Sequence, residues 1–228
     1  LDLKGHEVDP GTGGVLSGII DVTAFGAVTD DSSAKAAAAN FTAIETAISA
    51  AYGYLGDGPG VVWFPKKINP DVVGSTGTNY YIECPASTDT RGLTIYPGLI
   101  YRAAPGVILN RTDTPTASNA VEALFTTLPI GSDVAGEYSS TTTVFDGFTL
   151  TGALSGIYFL SKTGSIRTNL LIRNCKFVSC EGTDATRYGI MSKLAAMTIV
   201  RNCEFVGCEC AVQITDGMRV VSGCKIDV

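Results

Sequence analysis

The sequence has few charged residues, a single histidine and a single tryptophan. Charged side chains make up 17% of its 228 residues, whereas 45% are hydrophobic, and the formal net charge is −6. No cluster of lysines or arginines occurs, so there is no basic patch of the kind that binds nucleic acid or an anionic membrane surface. No apolar run approaches the roughly 20 residues of a membrane-spanning helix. These absences exclude nucleic acid and membrane insertion from the expected partners.

Metal-binding patterns are also missing. No Cys-x-x-Cys pair occurs, and His6 is the only histidine, although structural zinc sites need four cysteine or histidine ligands. We therefore expect no metal ion and no other cofactor.

The seven cysteines do not resemble the even-numbered disulfide framework of a small secreted domain. Cys175, Cys203 and Cys224 take the same place in successive sequence repeats. Neighbouring strands lie about 4.8 Å apart, which is within the Cα separation that a disulfide allows. Free cysteine nevertheless behaves as a small buried hydrophobe, and we expect reduced thiols packed in the core.

One phrase of nine residues occurs twice: IRNCKFVSC at 172–180 returns as VRNCEFVGC at 200–208. Turn dipeptides that end at residues 147, 174, 202 and 223 extend this pattern, each followed by a pair of residues that we expect to face inward. The period of roughly 20 to 30 residues is typical of solenoid repeats. The phrase recurs because equal side chains, stacked one coil above another, fill the same position in a continuous core.

A second phase of the sequence keeps the same period. Gly156-Ile157, Gly189-Ile190 and Ala211-Val212 follow one another along the chain, within short β-branched and aromatic runs separated by Gly, Asn, Asp or Ser. Each unit is therefore predicted to be a coil of β-strands. Gly and Asn at equivalent corners supply the left-handed backbone conformation that a sharp bend requires.

The N-terminal part predicts one helix, over about residues 32–52. Phe41, Ile44, Ala47, Ile48 and Ala51 recur at the spacing of one helical face. The preceding TDDSS, residues 29–33, is interpreted as the helix cap, because carboxylates and hydroxyls satisfy the free N–H groups at a helix start. Strand-like runs begin with VVWFP at 61–65.

These features together resemble a known family. The succession of DVTAFGAVTDDSS, an Ala-rich helix, GDGPGVVWFPK and coils ending in RNCxF is similar to the start of a pectate-lyase-like right-handed β-helix. Pectate-lyase and polygalacturonase relatives share this form with many bacteriophage tailspikes. The resemblance covers about residues 20–228 and implies an all-β solenoid, a right-handed parallel β-helix with an N-terminal capping α-helix. Residues 1–19 are then an N-terminal extension, 20–60 the capping segment and 61–228 the coils.

Carboxylates on adjacent coils are the candidates for catalysis, because a glycosidase needs two of them within about 5 to 10 Å. The candidates are Asp146, Glu181, Glu204 and Asp216. Glu204 aligns with Lys176 and Lys225 in neighbouring repeats, which also fits an exterior ladder of charges. The Asn-Thr-Asp, Gly-His-Gly and Arg-Ile-Lys motifs of the polygalacturonase relatives are missing, and we find no calcium-binding carboxylate cluster. The sequence does not support catalysis in this segment.

Three tyrosines are candidates for carbohydrate binding. Tyr138, Tyr158 and Tyr188 lie at or near predicted loops, where aromatic faces can hold a sugar. Ordinary packing at the rim of a coil is the alternative interpretation.

The C-terminal end carries a further expectation. The last residues, CKIDV, begin a strand without a helix to cover it, and an open coil end exposes core residues and unpaired strand edges. We expect the native chain to continue past residue 228 or to be covered there by another chain.

Two classes of function remain open. The first is a virion protein of the tailspike or tail-fibre type, a rigid shaft or receptor-binding body that recognises host surface polysaccharide. By the family resemblance it would be a homotrimer joined to other virion proteins. The second is an extracellular enzyme that cleaves polysaccharide, either a lyase or a glycoside hydrolase.

Overall fold

The computed structural model describes residues 18–53, 60–85, 90–113, 121–127, 141–153, 155–160, 169–180, 188–193 and 195–227. The helices are a short 3-10 helix at Val22–Phe25 and α1 at Ala34–Gly53. The strands are β1 (Ile19–Asp21), β2 (Val61–Phe64), β3 (Asn79–Ile82), β4 (Thr90–Ile95), β5 (Ile100–Ala103), β6 (Ile108–Arg111), β7 (Val121–Thr127), β8 (Thr142–Asp146), β9 (Thr149–Thr151), β10 (Ser155–Leu160), β11 (Asn169–Arg173), β12 (Lys176–Val178), β13 (Tyr188–Lys193), β14 (Met197–Arg201), β15 (Glu204–Val206), β16 (Cys210–Thr215), β17 (Met218–Ser222) and β18 (Lys225–Asp227).

The strands form three parallel sheets. Sheet A has the order β1-β2-β5-β8-β11-β14-β17, sheet B the order β18-β15-β12-β9-β6-β3, and sheet C the order β16-β13-β10-β7-β4. From β2 onward, successive described strands join sheets A, B and C in strict rotation. This arrangement confirms a mostly β fold with parallel sheets and one α-helix, and it is compatible with a parallel β-helix.

The strand register confirms both phases of the sequence repeat. Phe177 lies opposite Leu150 on one side and opposite Phe205 on the other. The two phenylalanine rings are stacked, with centroids 4.9 Å apart and planes at 7°. In sheet C, Ile190 likewise lies opposite Ile157 and Val212. Equal side chains therefore do stack from layer to layer in the core.

The predicted corners between sheets A and B have the left-handed conformation. Asn174 and Asn202 have φ values of 54° and 52°, and Gly147 and Gly223 also have positive φ. A β-carbon on Gly147 would lie 2.8 Å from a backbone oxygen, so both the backbone conformation and the available space require glycine there. The Asn174 amide donates to Asp146 Oδ1 at 2.9 Å, which ties this corner to the preceding one.

Helix α1 covers the N-terminal end of the core. Ile44, Ala47, Ile48 and Ala51 are fully buried, and Phe41 packs at the edge of the same cluster. The predicted apolar face is therefore the face that the helix buries.

Only part of the predicted helix cap belongs to the helix start. Ser33 Oγ accepts the Ala36 N–H at 3.2 Å, and Asp31 Oδ1 accepts the Ser33 N–H at 3.0 Å. Asp30 instead accepts hydrogen bonds from Ser75 and Asn79. The prediction was wrong for Asp30, because its left-handed backbone, with φ of 60°, belongs to a separate turn.

Two polar side chains of α1 contact the edge strands next to it. The buried Asn40 accepts the Val28 N–H at 2.7 Å and donates to the carbonyl oxygens of Val28 and Tyr81, both at 2.9 Å. Glu45 Oε1 accepts the Thr94 N–H at 2.5 Å. These strands, β3 and β4, are the edges of sheets B and C, so the helix satisfies backbone groups that a bare sheet edge would leave unpaired.

No disulfide joins any of the seven cysteines, all of which lie within the described residues. Cys175 and Cys203 are buried in the core, and Cys210 and Cys224 are only partly covered. The expectation of core packing is thus confirmed for the buried cysteines.

The opposite end of the described core is exposed. Val221 and Ile226 face the same side of their strands as buried residues of the layer before, yet they are 51% and 56% exposed. A cavity of about 370 Å³ lies at this end, bordered by Phe205, Val212 and Arg219 as well as by these two residues. The last described layer therefore presents apolar side chains to solvent.

Candidate functional site

The outer face of sheet A carries a row of aliphatic side chains, here called the aliphatic stripe. Its members are Ile19, Val61, Ile100, Val144, Leu171, Ile199 and Val220, paired in register from each strand to the next. Ile19 and Val220 are 42% and 37% exposed, and the other five are partly exposed. With neighbouring strands about 4.8 Å apart, the stripe is roughly 29 Å long.

The alternation of side chains along each strand produces this stripe. In β8, Thr143 and Phe145 are fully buried, whereas Val144 between them points outward. Outward positions on a one-sided sheet usually carry polar residues. The outer position of sheet A instead repeats an aliphatic residue in all seven strands.

A second row, here called the corner row, lies two residues after the stripe in each strand. Its members in order are Asp21, Trp63, Arg102, Asp146, Arg173, Arg201 and Ser222. Asp146 Oδ2 lies 2.9 Å from Arg173 Nη2 and 3.5 Å from Arg102 Nη2. One carboxylate thus holds the arginines on both sides of it.

The corner row carries more positive than negative charge. Its three arginines face two carboxylates, Asp21 and Asp146, although the whole chain has a net charge of −6. Arg201 is exposed and lies opposite Arg173 and Ser222, with no acidic partner among the residues that the structure describes. Arg173 Nε is buried and has no hydrogen-bond acceptor. The row therefore has donors that the described part of the protein leaves unused.

The outer face of sheet B differs, because its charges are balanced. Lys176 Nζ lies 3.0 Å from Glu204 Oε2, and Lys225 Nζ lies 3.7 Å from Glu204 Oε1. Lys225 also pairs with Asp227 at 2.6 Å. Glu204 thus belongs to an exterior charge ladder, the second of the interpretations that the sequence allowed.

The structure places the described carboxylate candidates on different parts of the surface. Asp146 lies in the corner row, Glu204 in the sheet B ladder, and Asp216 in the left-handed turn between β16 and β17. The register puts arginines next to Asp146 and lysines next to Glu204. Glu181 lies outside the described residues. Among the described candidates, no strand pairing brings two carboxylates together.

Two of the three candidate tyrosines lie in sheet C. Tyr158 is in β10 and Tyr188 begins β13, and both are partly exposed. Lys193 Nζ lies 5.8 Å from the centre of the Tyr158 ring, which is a cation–π distance. Tyr138 lies outside the described residues.

The sequence repeats Arg173 and Arg201 but gives no sign that Arg102 and Trp63 join them. The RNC phrase marks the first two, because it repeats. Arg102 and Trp63 join the row only through the pairing of β5 with β2 and β8, and no repeated phrase marks that register.

Comparison of the chain with protein-family models, with curated proteins and with solved structures finds no match. No metal-binding group of three or more His, Cys, Asp or Glu residues occurs within the described ranges. Neither described helix has both the length and the apolar character needed to cross a membrane.

Proposed function

We propose that the chain is the shaft of a fibrous attachment protein of the bacteriophage tailspike or tail-fibre kind. In this proposal it is a right-handed parallel β-helix, and three copies associate side by side through the aliphatic stripe. The assembly belongs to a virion, is joined to other virion proteins, and attaches to host surface polysaccharide. The number of copies and the virion context come from the family resemblance, and the side-by-side association is supported by the stripe.

The stripe supports association because of its shape and chemistry. Scattered apolar side chains are normal on a surface, but a contiguous exposed apolar row marks an interaction site. This row has one member in each strand of sheet A, in continuous register. A second copy of the chain has the same spacing along its length, so its own stripe can contact this one over the full length. A rounded partner would cover only a part of it.

Native mass spectrometry of Val144→Glu tests this proposal, with Val178→Glu as its matched control. Val144 lies in the stripe, whereas Val178 points outward from sheet B, and both are partly exposed. We expect three times 23.7 kDa for the wild-type protein and the control. The stripe variant should be a single chain with an unchanged circular dichroism spectrum, because it places a charge in the interface.

A wild-type protein that is a single chain at micromolar concentration would contradict the proposal. If Val144→Glu leaves the assembly intact, the copies contact each other through another face of the protein.

The alternative is an enzyme that cleaves polysaccharide, a lyase or a glycoside hydrolase. The separate positions of Asp146, Glu204 and Asp216 give it less support, because both hydrolytic mechanisms need paired carboxylates. Incubation with capsular polysaccharide or lipopolysaccharide, followed by assays for new reducing ends and unsaturated products, tests it directly. Product formation that is lost in Asp146→Asn or Asp216→Asn would favour the enzyme.

A further inference from the structure

We propose that Cys203 and Cys224 are a modification site, at which a small-molecule disulfide converts the two thiols into a cross-link between neighbouring layers. The reagent is a soluble disulfide of the oxidised glutathione type. This inference does not depend on the proposed function, because it concerns a bond within one copy of the chain.

Three cysteines take equivalent places at the corners between sheets A and B, and are here called the thiol stack. Cys175, Cys203 and Cys224 each come directly before a strand of sheet B, and the residues that follow them pair in register. The Glu204 N–H donates to Cys175 O and the Lys225 N–H donates to Cys203 O, both at 2.9 Å. Since neighbouring strands lie about 4.8 Å apart, successive cysteines have a Cα separation that a disulfide allows.

The three side chains of the thiol stack point in the same direction. A residue with left-handed backbone, at 174, 202 or 223, precedes each cysteine, so the backbone gives the three β-carbons the same orientation. Each thiol also donates to the carbonyl oxygen two residues before it, at 3.2 Å for Cys175, 3.3 Å for Cys203 and 3.5 Å for Cys224. Equal local geometry therefore places one sulfur atom above another in successive layers.

Neighbouring thiols of the stack contact each other directly. A hydrogen bond with the Cys175 thiol, helped by one with the Cys224 thiol, holds the pKa of Cys203 below its ordinary value, although burial opposes this effect. Burial raises the pKa of Cys175. Because the thiolate is the species that attacks a disulfide, Cys203 is better prepared than Cys175 to attack a neighbouring sulfur atom.

Solvent access differs along the thiol stack. Cys175 and Cys203 are each only 2% exposed, whereas Cys224 is partly exposed. Cys224 also borders the cavity at the end of the described core. A dissolved reagent therefore reaches Cys224 first, and Cys203 is the thiol next to it. The pair that is both accessible and in contact is Cys203 with Cys224.

The modification consists of two exchange steps. The Cys224 thiolate attacks one sulfur of oxidised glutathione, which breaks the S–S bond of the reagent, forms a mixed disulfide at Cys224 and releases one glutathione thiolate. The Cys203 thiolate then attacks the Cys224 sulfur, which forms the Cys203–Cys224 bond and releases the second glutathione thiolate. The protein loses two electrons and two thiol protons, the reagent gains the two electrons, and the protons pass to the released thiolates or to solvent.

The cross-link fixes the last described layer to the layer before it. Cys224 lies between β17 and β18, and Cys203 lies between β14 and β15. All residues of β17 and β18 are exposed, and strands with few buried contacts open most easily. The oxidised wild-type protein should therefore unfold at a higher urea concentration than the oxidised Cys203→Ser protein. Dithiothreitol should remove this difference.

Peptide mapping by mass spectrometry tests the proposal. The folded protein is incubated with oxidised glutathione, its remaining thiols are blocked with N-ethylmaleimide, and it is digested with trypsin without reductant. Trypsin cleaves after lysine and arginine, so the members of the thiol stack fall on three separate peptides, 174–176, 202–219 and 220–225. We expect peptide 202–219 to be linked to peptide 220–225.

Serine variants identify the two sulfur atoms of the link. Cys203→Ser should lose the link and accumulate the glutathione adduct at Cys224, because the thiol that displaces glutathione is missing. Cys224→Ser should lose the link without a change at a fully buried position, and circular dichroism shows whether the fold of each variant is kept. Cys175→Ser should still form the link.

Cys210 is the matched control, because it is partly exposed like Cys224 but pairs in register with Tyr188 rather than with another cysteine. Cys210→Ser should leave the link unchanged, although Cys210 shares peptide 202–219 with Cys203.

Absence of the link in the wild-type protein, with or without a glutathione adduct at Cys224, would overturn the proposal. A link between peptides 174–176 and 202–219 would also overturn it, since the reaction would then join Cys175 to Cys203. Persistence of the expected peptide link in Cys203→Ser would do the same, because another cysteine of peptide 202–219 would then be the partner of Cys224.

Discussion

The ring of Phe205 occupies the place next to Gly189 where any other residue would have its β-carbon. A β-carbon built on Gly189 would lie 2.7 Å from Phe205 Cδ1, and one built on Gly156 would lie 2.5 Å from Phe177 Cδ1. Each of these two glycines of sheet C therefore packs against the phenylalanine in the next strand of sheet B. The glycines of one repeat phase and the phenylalanines of the other therefore pack against each other.

Gly189→Ala should lower the free energy of unfolding by about 1 to 3 kcal/mol, the usual cost of overfilling a packed core. The ring of Phe205 cannot move away, because it is stacked on Phe177. Urea unfolding followed by circular dichroism measures the change. Gly53→Ala is the control, since a β-carbon there meets nothing within 4 Å and alanine favours the helix. Equal stability of the Gly189→Ala and Gly53→Ala proteins would contradict this packing account.

The lowered pKa of Asp30 predicts that the protein loses stability in acid. Partial burial opposes its ionisation, but hydrogen bonds from Ser75, Asn79 and Gly77 outweigh burial and hold the pKa of Asp30 well below its usual value. A lowered pKa in the folded state adds stability above the unfolded pKa of about 3.9, and that stability is lost as the pH falls towards the folded value.

Asp30→Asn should therefore be less stable than the wild type at pH 7, and the difference should shrink towards pH 3. Urea unfolding at both pH values measures it, and Asp71→Asn, at an exposed position, is the control. A difference between wild type and Asp30→Asn that is as large at pH 3 as at pH 7 would show that the charge of Asp30 is not the cause.

The raised pKa of Glu45 predicts the opposite dependence of stability on pH. Burial raises its pKa and the hydrogen bonds from Thr94 only partly offset that effect. Because the folded state favours the protonated carboxyl group, stability should rise as the pH falls through the raised pKa. Glu45→Gln keeps an acceptor for the Thr94 N–H, so its stability at pH 7 should equal or exceed that of the wild type. Its stability should not rise as the pH falls, because glutamine does not take up a proton.

Glu45→Leu separates the charge of Glu45 from its hydrogen bond. It removes the acceptor at the edge of sheet C and should cost about 1 to 3 kcal/mol, the penalty of a buried unpaired N–H group. Thermal unfolding at pH 5 and pH 7 distinguishes the three proteins. A Glu45→Leu protein as stable as the wild type would show that the edge strand does not need this acceptor.

Much of the fold could be predicted from the sequence where the sequence repeats. The positions of Phe177 and Phe205, and the left-handed corners at Asn174 and Asn202, follow from one phrase written twice. The helix was predictable because its apolar residues keep helical spacing. The role of Asp30 was not predictable, since its hydrogen-bond donors lie more than 40 residues further along the chain.

The candidate site could also be predicted only in part from the sequence. A local sequence pattern determined which side chains face outward in each strand, because side-chain direction alternates along a strand. The neighbours of each outward side chain depend on strand register, and register between strands far apart in sequence is a property of the folded chain. The sequence by itself thus determined a repeating β structure with a helix at one end. Only the tertiary structure decided that Arg102 and Arg173 meet at Asp146, and that seven aliphatic side chains form one stripe, because both rows exist only when strands from distant segments pair.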